Sequence, residues 1–115
     1  MIRMLEIPEP TPSLNAILRM HWSSRIKFGE RWELLLLEAR AHFMPAARRK
    51  RFVRITRVAS RLLDLDNLWG GAKIPIDAMK KLGIVVDDSP RWLKLSVVQR
   101  KGTPARTEIE IRDRS

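Results

Sequence analysis

Five of the six aspartates in this 115-residue chain fall between positions 64 and 88: Asp64, Asp66, Asp77, Asp87 and Asp88. The seven glutamates lie elsewhere. The same chain carries 23 Lys and Arg against 13 Asp and Glu, a formal charge of +10. So basic a balance points to a polyanionic partner, nucleic acid or an anionic membrane. Short carboxylates gathered in one stretch would repel such a partner unless a cation stood between them. Mg²⁺ suits that role, because it is small and hard and shares its positions among carboxylates, water and phosphate. Asp64 and Asp66 are two apart, so at a strand end both would point to one side. Asn67 follows as a neutral oxygen donor or a cap. Lys73 adds a cation able to stabilise charge on a scissile phosphate or to protonate a leaving oxygen.

Each of these features has a plainer reading. Asp-x-Asp-Asn ahead of a helix is also an ordinary N-cap. Asp87-Asp88-Ser89-Pro90 is a polar turn in many proteins. Asp77 pairs at helical spacing with Lys73 or Lys81. Composition narrows the remaining chemistry. With no cysteine there is no disulfide, thiolate zinc site or thiol nucleophile. His21 and His42 are the only histidines, so any metal would be held by oxygen. No apolar run approaches the ~20 residues that cross a bilayer, and the first ten residues lack the apolar stretch of a signal peptide. The expectation is a soluble intracellular protein of one domain, residues 1–115.

The elements that must position these residues follow from periodicity. Arg3 to Ile7 reads as a strand, followed by a loop broken by Pro8, Pro10 and Pro12 that runs through Ser13, Leu14 and Asn15. A helix is expected from Ser23 or Ser24 to Phe43, stopped by Pro45, with Phe28, Trp32, Leu35, Leu36, Ala39 and Phe43 as its apolar stripe. Arg48 to Ser60 alternates as a strand. A second helix should lie between Asn67 and Leu82, closed by Gly83. Gly70 and Gly71 favour a turn over residues 67–72, with the helix starting near Lys73 and Pro75 in its first turn. Unbroken, it would put Asp66, Lys73 and Asp77 on one face. Ile84 to Val86 reads as a short strand. Two final strands, Trp92 to Arg100 and Arg106 to Arg112, flank Gly102-Thr103-Pro104. The pattern predicts an α+β fold, a mixed β-sheet with about two main helices packed on one face.

Taken together, Asp64-Leu65-Asp66-Asn67-Leu68, Lys73, Asp77-Ala78-Met79, Gly83-Ile84 and Val86-Asp87-Asp88-Ser89-Pro90 resemble the RusA-type Holliday junction resolvases. The opening Pro8 to Asn15, with Arg19, is similar to that family's proline-rich start. The resemblance covers nearly the whole chain, with its specificity in residues 64–90. It implies a RusA-like fold and a homodimeric endodeoxyribonuclease, dependent on Mg²⁺ with Mn²⁺ as a possible substitute, that resolves four-way DNA junctions by paired nicks. By position it implies Asp64, Asp66 and Asp88 as metal ligands, and Asp66 and Lys73 as catalytic. Trp69-Gly70-Gly71 looks like a short insertion against the family, and Lys73 keeps the four-residue spacing to Asp77. The family type implies a cytoplasmic protein of bacterial or phage origin. A non-catalytic nucleic-acid-binding module and a nuclease for other branched or single-stranded DNA remain open.

The DNA-binding surface is expected in the densest basic run: Arg48, Arg49, Lys50, Arg51, Arg54, Arg57 and Arg61. On a strand Arg51, Arg57 and Arg61 share parity and Arg54 lies opposite, so one face cannot present them all. Such residues suit phosphates better than bases. Trp32 belongs to the helix stripe and the core. Trp69, in the glycine turn, is the tryptophan to consider for DNA contact, with core or lid packing as its other reading.

Overall fold

The computed structural model describes residues 2–39, 41 and 47–113. Four strands, β1 (Ile2–Ile7), β2 (Arg51–Ala59), β3 (Leu93–Lys101) and β4 (Arg106–Asp113), form one sheet in the order β1-β4-β2-β3. β4 runs antiparallel to both β1 and β2, while β2 and β3 are parallel. The parallel pair demands a crossover connection. That connection carries α3 (Leu65–Gly71) and α4 (Lys73–Lys81). Ahead of it, α1 (Leu14–Arg19) and α2 (Trp22–Glu38) join β1 to β2. The architecture is the expected α+β fold with a mixed sheet.

Period-two alternation builds the sheet's inner face. Thr107, Ile109 and Ile111 of β4 are buried while Glu108, Glu110 and Arg112 turn away, as their spacing predicts. Leu5, Ile7, Val53, Ile55, Leu93 and Val97 complete that inner face. Trp32 and Leu36 of α2, Leu68 of α3, and Ile76, Ala78 and Met79 of α4 close the same core. Phe28, Leu35 and Ala39 pack on its edge, so the α2 stripe falls where its spacing put it. Among the described residues no helix is long and apolar enough to cross a membrane.

Four local expectations are corrected. Helix α2 is capped by His21, whose Nδ1 accepts from the Ser23 amide, not by Ser23 or Ser24. It closes at Ala39, whose amide is shared between the Leu35 and Leu37 carbonyls; Arg40, His42, Phe43 and Pro45 lie outside the described residues. The loop expected through Leu14 and Asn15 is helical, because Ser13 accepts from the Ala16 amide and caps α1. Ile84 to Val86 forms no strand. Ile84 and Val85 are buried, but Ile84 donates its amide to the Met79 carbonyl, while Gly83 at φ 76° donates to Lys80. This pair of bonds is the left-handed helix ending that glycine permits.

The expected turn over residues 67–72 is helical too. α3 and α4 meet at Ala72, which ends one and begins the other. Glycine is required at 71 by contact, since a Cβ there would overlap the Pro12 carbonyl oxygen. Gly71→Ala is therefore expected to destabilise the fold by about 3 kcal/mol, the upper end for overpacking a rigid contact. A thermal or denaturant melt reads the change, and an unaltered midpoint would contradict the close approach of α3 to the proline segment.

Candidate functional site

The crossover between β2 and β3 carries every carboxylate of the aspartate cluster. Asp64 is the N-cap of α3, and its Oδ1 accepts from the Asn67 amide at 2.9 Å. The Asn67 side-chain nitrogen also donates to both Asp64 oxygens. These bonds hold the Asp64 carboxyl below its ordinary range, the backbone amide of Asn67 contributing most. Asp66 lies in the first turn, exposed, its carboxylate without a hydrogen-bond or ion-pair partner among the described residues. Both carboxylates thus sit at the helix N-terminus, not at a strand end, since β2 finishes at Ala59.

Three contacts missed from the sequence fix this segment. Gln99 of β3 grips the backbone of Leu63 at both ends, accepting from its amide at 2.9 Å and donating to its carbonyl at 2.7 Å. Arg57 donates to the carbonyls of Thr11 and Arg61. Asn67 accepts from the Asn15 amide at 2.9 Å, which ties α3 to α1 across 52 residues of sequence. A long polar side chain among the apolar residues of β3 was the signal for Gln99. Nothing local in the sequence announces the other two.

Lys73 opens α4 and is 71% exposed, with Asp77 one turn on at 3.9 Å. Asp66 belongs to the preceding helix, so the single face shared by Asp66, Lys73 and Asp77 does not form. A groove of about 620 Å³ runs between α1, α2 and α4, with Leu14, Ile17, Ile26 and Ile74 in its lining and Lys73 and Asp77 beside them. Asp87 and Asp88 follow α4, and the cation next to them is Lys80, at 3.3 Å from Asp87 and 3.6 Å from Asp88. A hydrogen bond to Asp87 raises the Lys80 ammonium. The Asp88 amide, then Lys80, holds the Asp87 carboxyl down.

Among the described residues no three Asp, Glu, His or Cys side chains gather where an ion would sit. The donor types are nonetheless those of a hard cation: carboxylate oxygens, with Asp66 and Asp88 exposed. Asp64 meets solvent as well, although its oxygens already accept from Asn67.

The basic run is divided by the sheet. Arg48 and Arg49 are exposed just before β2, and Lys50 is half-buried. Arg51 is a correction: it is 2% exposed and inside the protein, donating to Asp113 at 2.7 Å and to the Ile84 carbonyl at 2.6 Å. Its inward parity at the first residue of β2 puts it between β4 and the segment after α4, where no DNA phosphate reaches it. Arg57 is half-buried and turned to structural carbonyls, and burial pushes its guanidinium down. Arg61 is exposed near α3, whereas Arg54 is exposed on the sheet face away from the helices. Trp69 is 47% exposed on α3, one turn from the exposed Leu65. Trp32 is fully buried.

No protein-family model and no curated protein matches the chain.

Proposed function

We propose that this protein is a Mg²⁺-dependent, structure-selective endodeoxyribonuclease that resolves four-way DNA junctions by paired nicks. The observation that carries the reading is the exposure of Asp64 and Asp66 on the first turn of α3 and of Lys73 at the start of α4. Asp66 and Lys73 are seven positions apart, across the junction of α3 and α4 at Ala72. Carboxylates and a lysine lie on one continuous segment of a chain whose net charge is +10. The resemblance of residues 64–90 to RusA-type resolvases supplies the substrate. The resemblance, and not the spacing of their side chains in the fold, names Asp64, Asp66 and Asp88 as the residues that would hold the cation, which when bound polarises a phosphoryl oxygen. Lys73 would place positive charge against the leaving oxygen, and Arg48, Arg49, Lys50 and Arg61 would hold phosphates. Paired nicks in opposed strands call for two sites related by a two-fold axis, hence a homodimer. The proposal extends to a cytoplasmic protein of bacterial or phage origin.

The test is a labelled, immobile four-way junction incubated with Mg²⁺, with Mn²⁺, with Ca²⁺ and with chelator. Symmetric nicks are expected with Mg²⁺ or Mn²⁺, and little product with Ca²⁺, which coordinates too loosely for ordered attack. Full activity in chelator would end the metal reading.

Lys73→Ala should lower the cleavage rate about a hundredfold, as removal of a charge-stabilising donor does, while the melting curve stays put, because the side chain is exposed. Activity near wild type would move the role to Lys80, the lysine beside Asp87 and Asp88.

A second reading, a non-catalytic nucleic-acid-binding module, is favoured by one set of contacts. Asp64 is engaged as a cap, and Lys80 lies between Asp87 and Asp88 and pairs with both. Junction binding with no cleavage under any divalent ion would establish it.

A further inference from the structure

The sheet's outer face is polarised along its strands. At one end Arg100, Arg106, Glu6 and Glu108 neutralise one another, with Arg100–Glu108 and Arg106–Glu108 both at 3.1 Å and Arg106–Glu6 at 3.3 Å. At the other end the register sets Arg112, Phe52 and Lys94 side by side across β4, β2 and β3, with Glu110, Arg54 and Ser96 in the next row. Arg54, Lys94 and Arg112 are exposed, and among the described residues none of them forms an ion pair. Lys94 Nζ lies 5.5 Å and Arg112 Cζ 5.8 Å from the centre of the half-buried Phe52 ring. The ring's negative face offsets part of the repulsion between the two cations and holds them together. A depression of about 200 Å³ opens among these groups, with Glu110 as its one carboxylate. Arg48 and Arg49 lead directly into this end of β2.

Three cations around the single carboxylate of Glu110 leave this end net positive, and a polyanion would relieve the repulsion among them. We infer that this end of the outer sheet face is a second DNA-contact surface, in which Arg54, Lys94 and Arg112 grip phosphates of a duplex arm. The helices pack on the opposite face, so this surface is separate from the carboxylate and lysine segment. A second copy of the chain is the poorer occupant: two-fold docking through this end would set the same cations against each other. A phosphate and its sugar fit the small depression, and Ser96 offers a hydroxyl beside the charges.

The inference does not depend on hydrolysis, and binding is read in EDTA. The variant is Arg54→Gln/Lys94→Gln/Arg112→Gln, compared with Lys27→Gln/Arg100→Gln/Lys101→Gln, which removes the same charge elsewhere. Anisotropy of a labelled duplex and a labelled junction is followed against salt. The first variant should bind both roughly tenfold or more weakly at low salt, with a log–log salt slope shallower by about 2.7, three contacts at about 0.9 each. The second should change much less. A charge-conserving variant, Arg54→Lys/Lys94→Arg/Arg112→Lys, should keep most of the affinity, and its binding distinguishes lost contacts from lost folding. Equal losses in the two neutralised variants, or an unchanged slope in the first, would overturn the inference. So would conversion of a dimer to a monomer with DNA affinity intact. A wild-type chain that binds through this face and never cuts would uphold this inference while overturning the nuclease.

Discussion

Asp66→Asn is expected to abolish junction cleavage while leaving junction binding in EDTA at least as tight as wild type. The substitution keeps size and much of the hydrogen bonding but removes a full negative charge from the first turn of α3. Loss of an outer-shell partner to a metal typically costs 10–100-fold, so losing a direct ligand should cost at least about a hundredfold in rate. Without metal the carboxylate repels the incoming phosphates, so its removal helps binding or leaves it alone. Asp88→Asn should behave in the same way. Asp64→Asn separates two roles, because asparagine caps a helix about as well as aspartate. If Asp64 only caps α3, its Asn variant will cut normally; if it also holds the ion, stability will survive and cleavage will not. Gel shift in EDTA beside cleavage in Mg²⁺ gives both readouts. Retained cleavage in Asp66→Asn and Asp88→Asn would remove the proposed site.

Asp113→Ala should be the most damaging of the charge substitutions for stability. It strips the Asp113 carboxylate from Arg51, whose side chain is 3% exposed, and removes the negative charge that faces this buried guanidinium. Removing one partner of such a pair should cost up to about 3 kcal/mol, since Arg51 keeps its bond to the Ile84 carbonyl. Arg51→Met should cost less, because it removes the buried charge itself and leaves a carboxylate that is 26% exposed and can hydrate. The pH dependence has a defined sign. The hydrogen bond and the charge of Arg51 hold the Asp113 carboxyl below its usual range. Asp64, Asp87 and Glu108 are shifted in the same direction by their own partners. Groups depressed in the folded state add stability above the unfolded carboxyl range, and that stability is lost as pH falls through the folded value. The wild type should therefore hold its melting temperature above about pH 5 and lose it steadily below about pH 4. Asp113→Ala should show a shallower acid loss, having one fewer such carboxyl. Denaturant melts across pH check both parts, and an Asp113→Ala variant as stable as wild type would contradict the buried pair.

Arg51 also shows where residue patterning determines a side chain's place and where it does not. Wherever side-chain chemistry and periodicity agreed, the expectation held: the Trp32–Leu36 stripe, the alternation from Thr107 to Ile111, and the helix ending at Gly83. A basic residue in a basic run gives no hint that its strand parity aims it inward at a partner 62 residues away. α1 was hidden by the prolines ahead of it, although Ser13 already stood in the sequence as a cap. Gly70 and Gly71 argued for a turn because glycine lowers helix propensity. The structure keeps Gly71 helical because only a residue without Cβ lets α3 lie against Pro12. The aspartates were legible as a cluster. Their division between a helix cap, an exposed first turn and a lysine-bridged loop depends on tertiary contacts that no spacing encodes.

The order of the sheet has a consequence for how the chain comes to be folded. Among the described residues β1 pairs with β4 alone, Ile2 lying opposite Arg112, while the β2–β3 pair can form only after its whole crossover exists. During synthesis β1 emerges well before its partner β4. Through that interval Leu5 and Ile7 lie on an unpaired apolar edge, the kind of segment that associates with neighbouring chains. Pairing across almost the full length also raises contact order, which slows folding relative to a helical bundle of equal size. Pro8, Pro10 and Pro12, which obscured the first helix, directly follow this edge and cannot extend it, since proline offers no amide to a growing ladder.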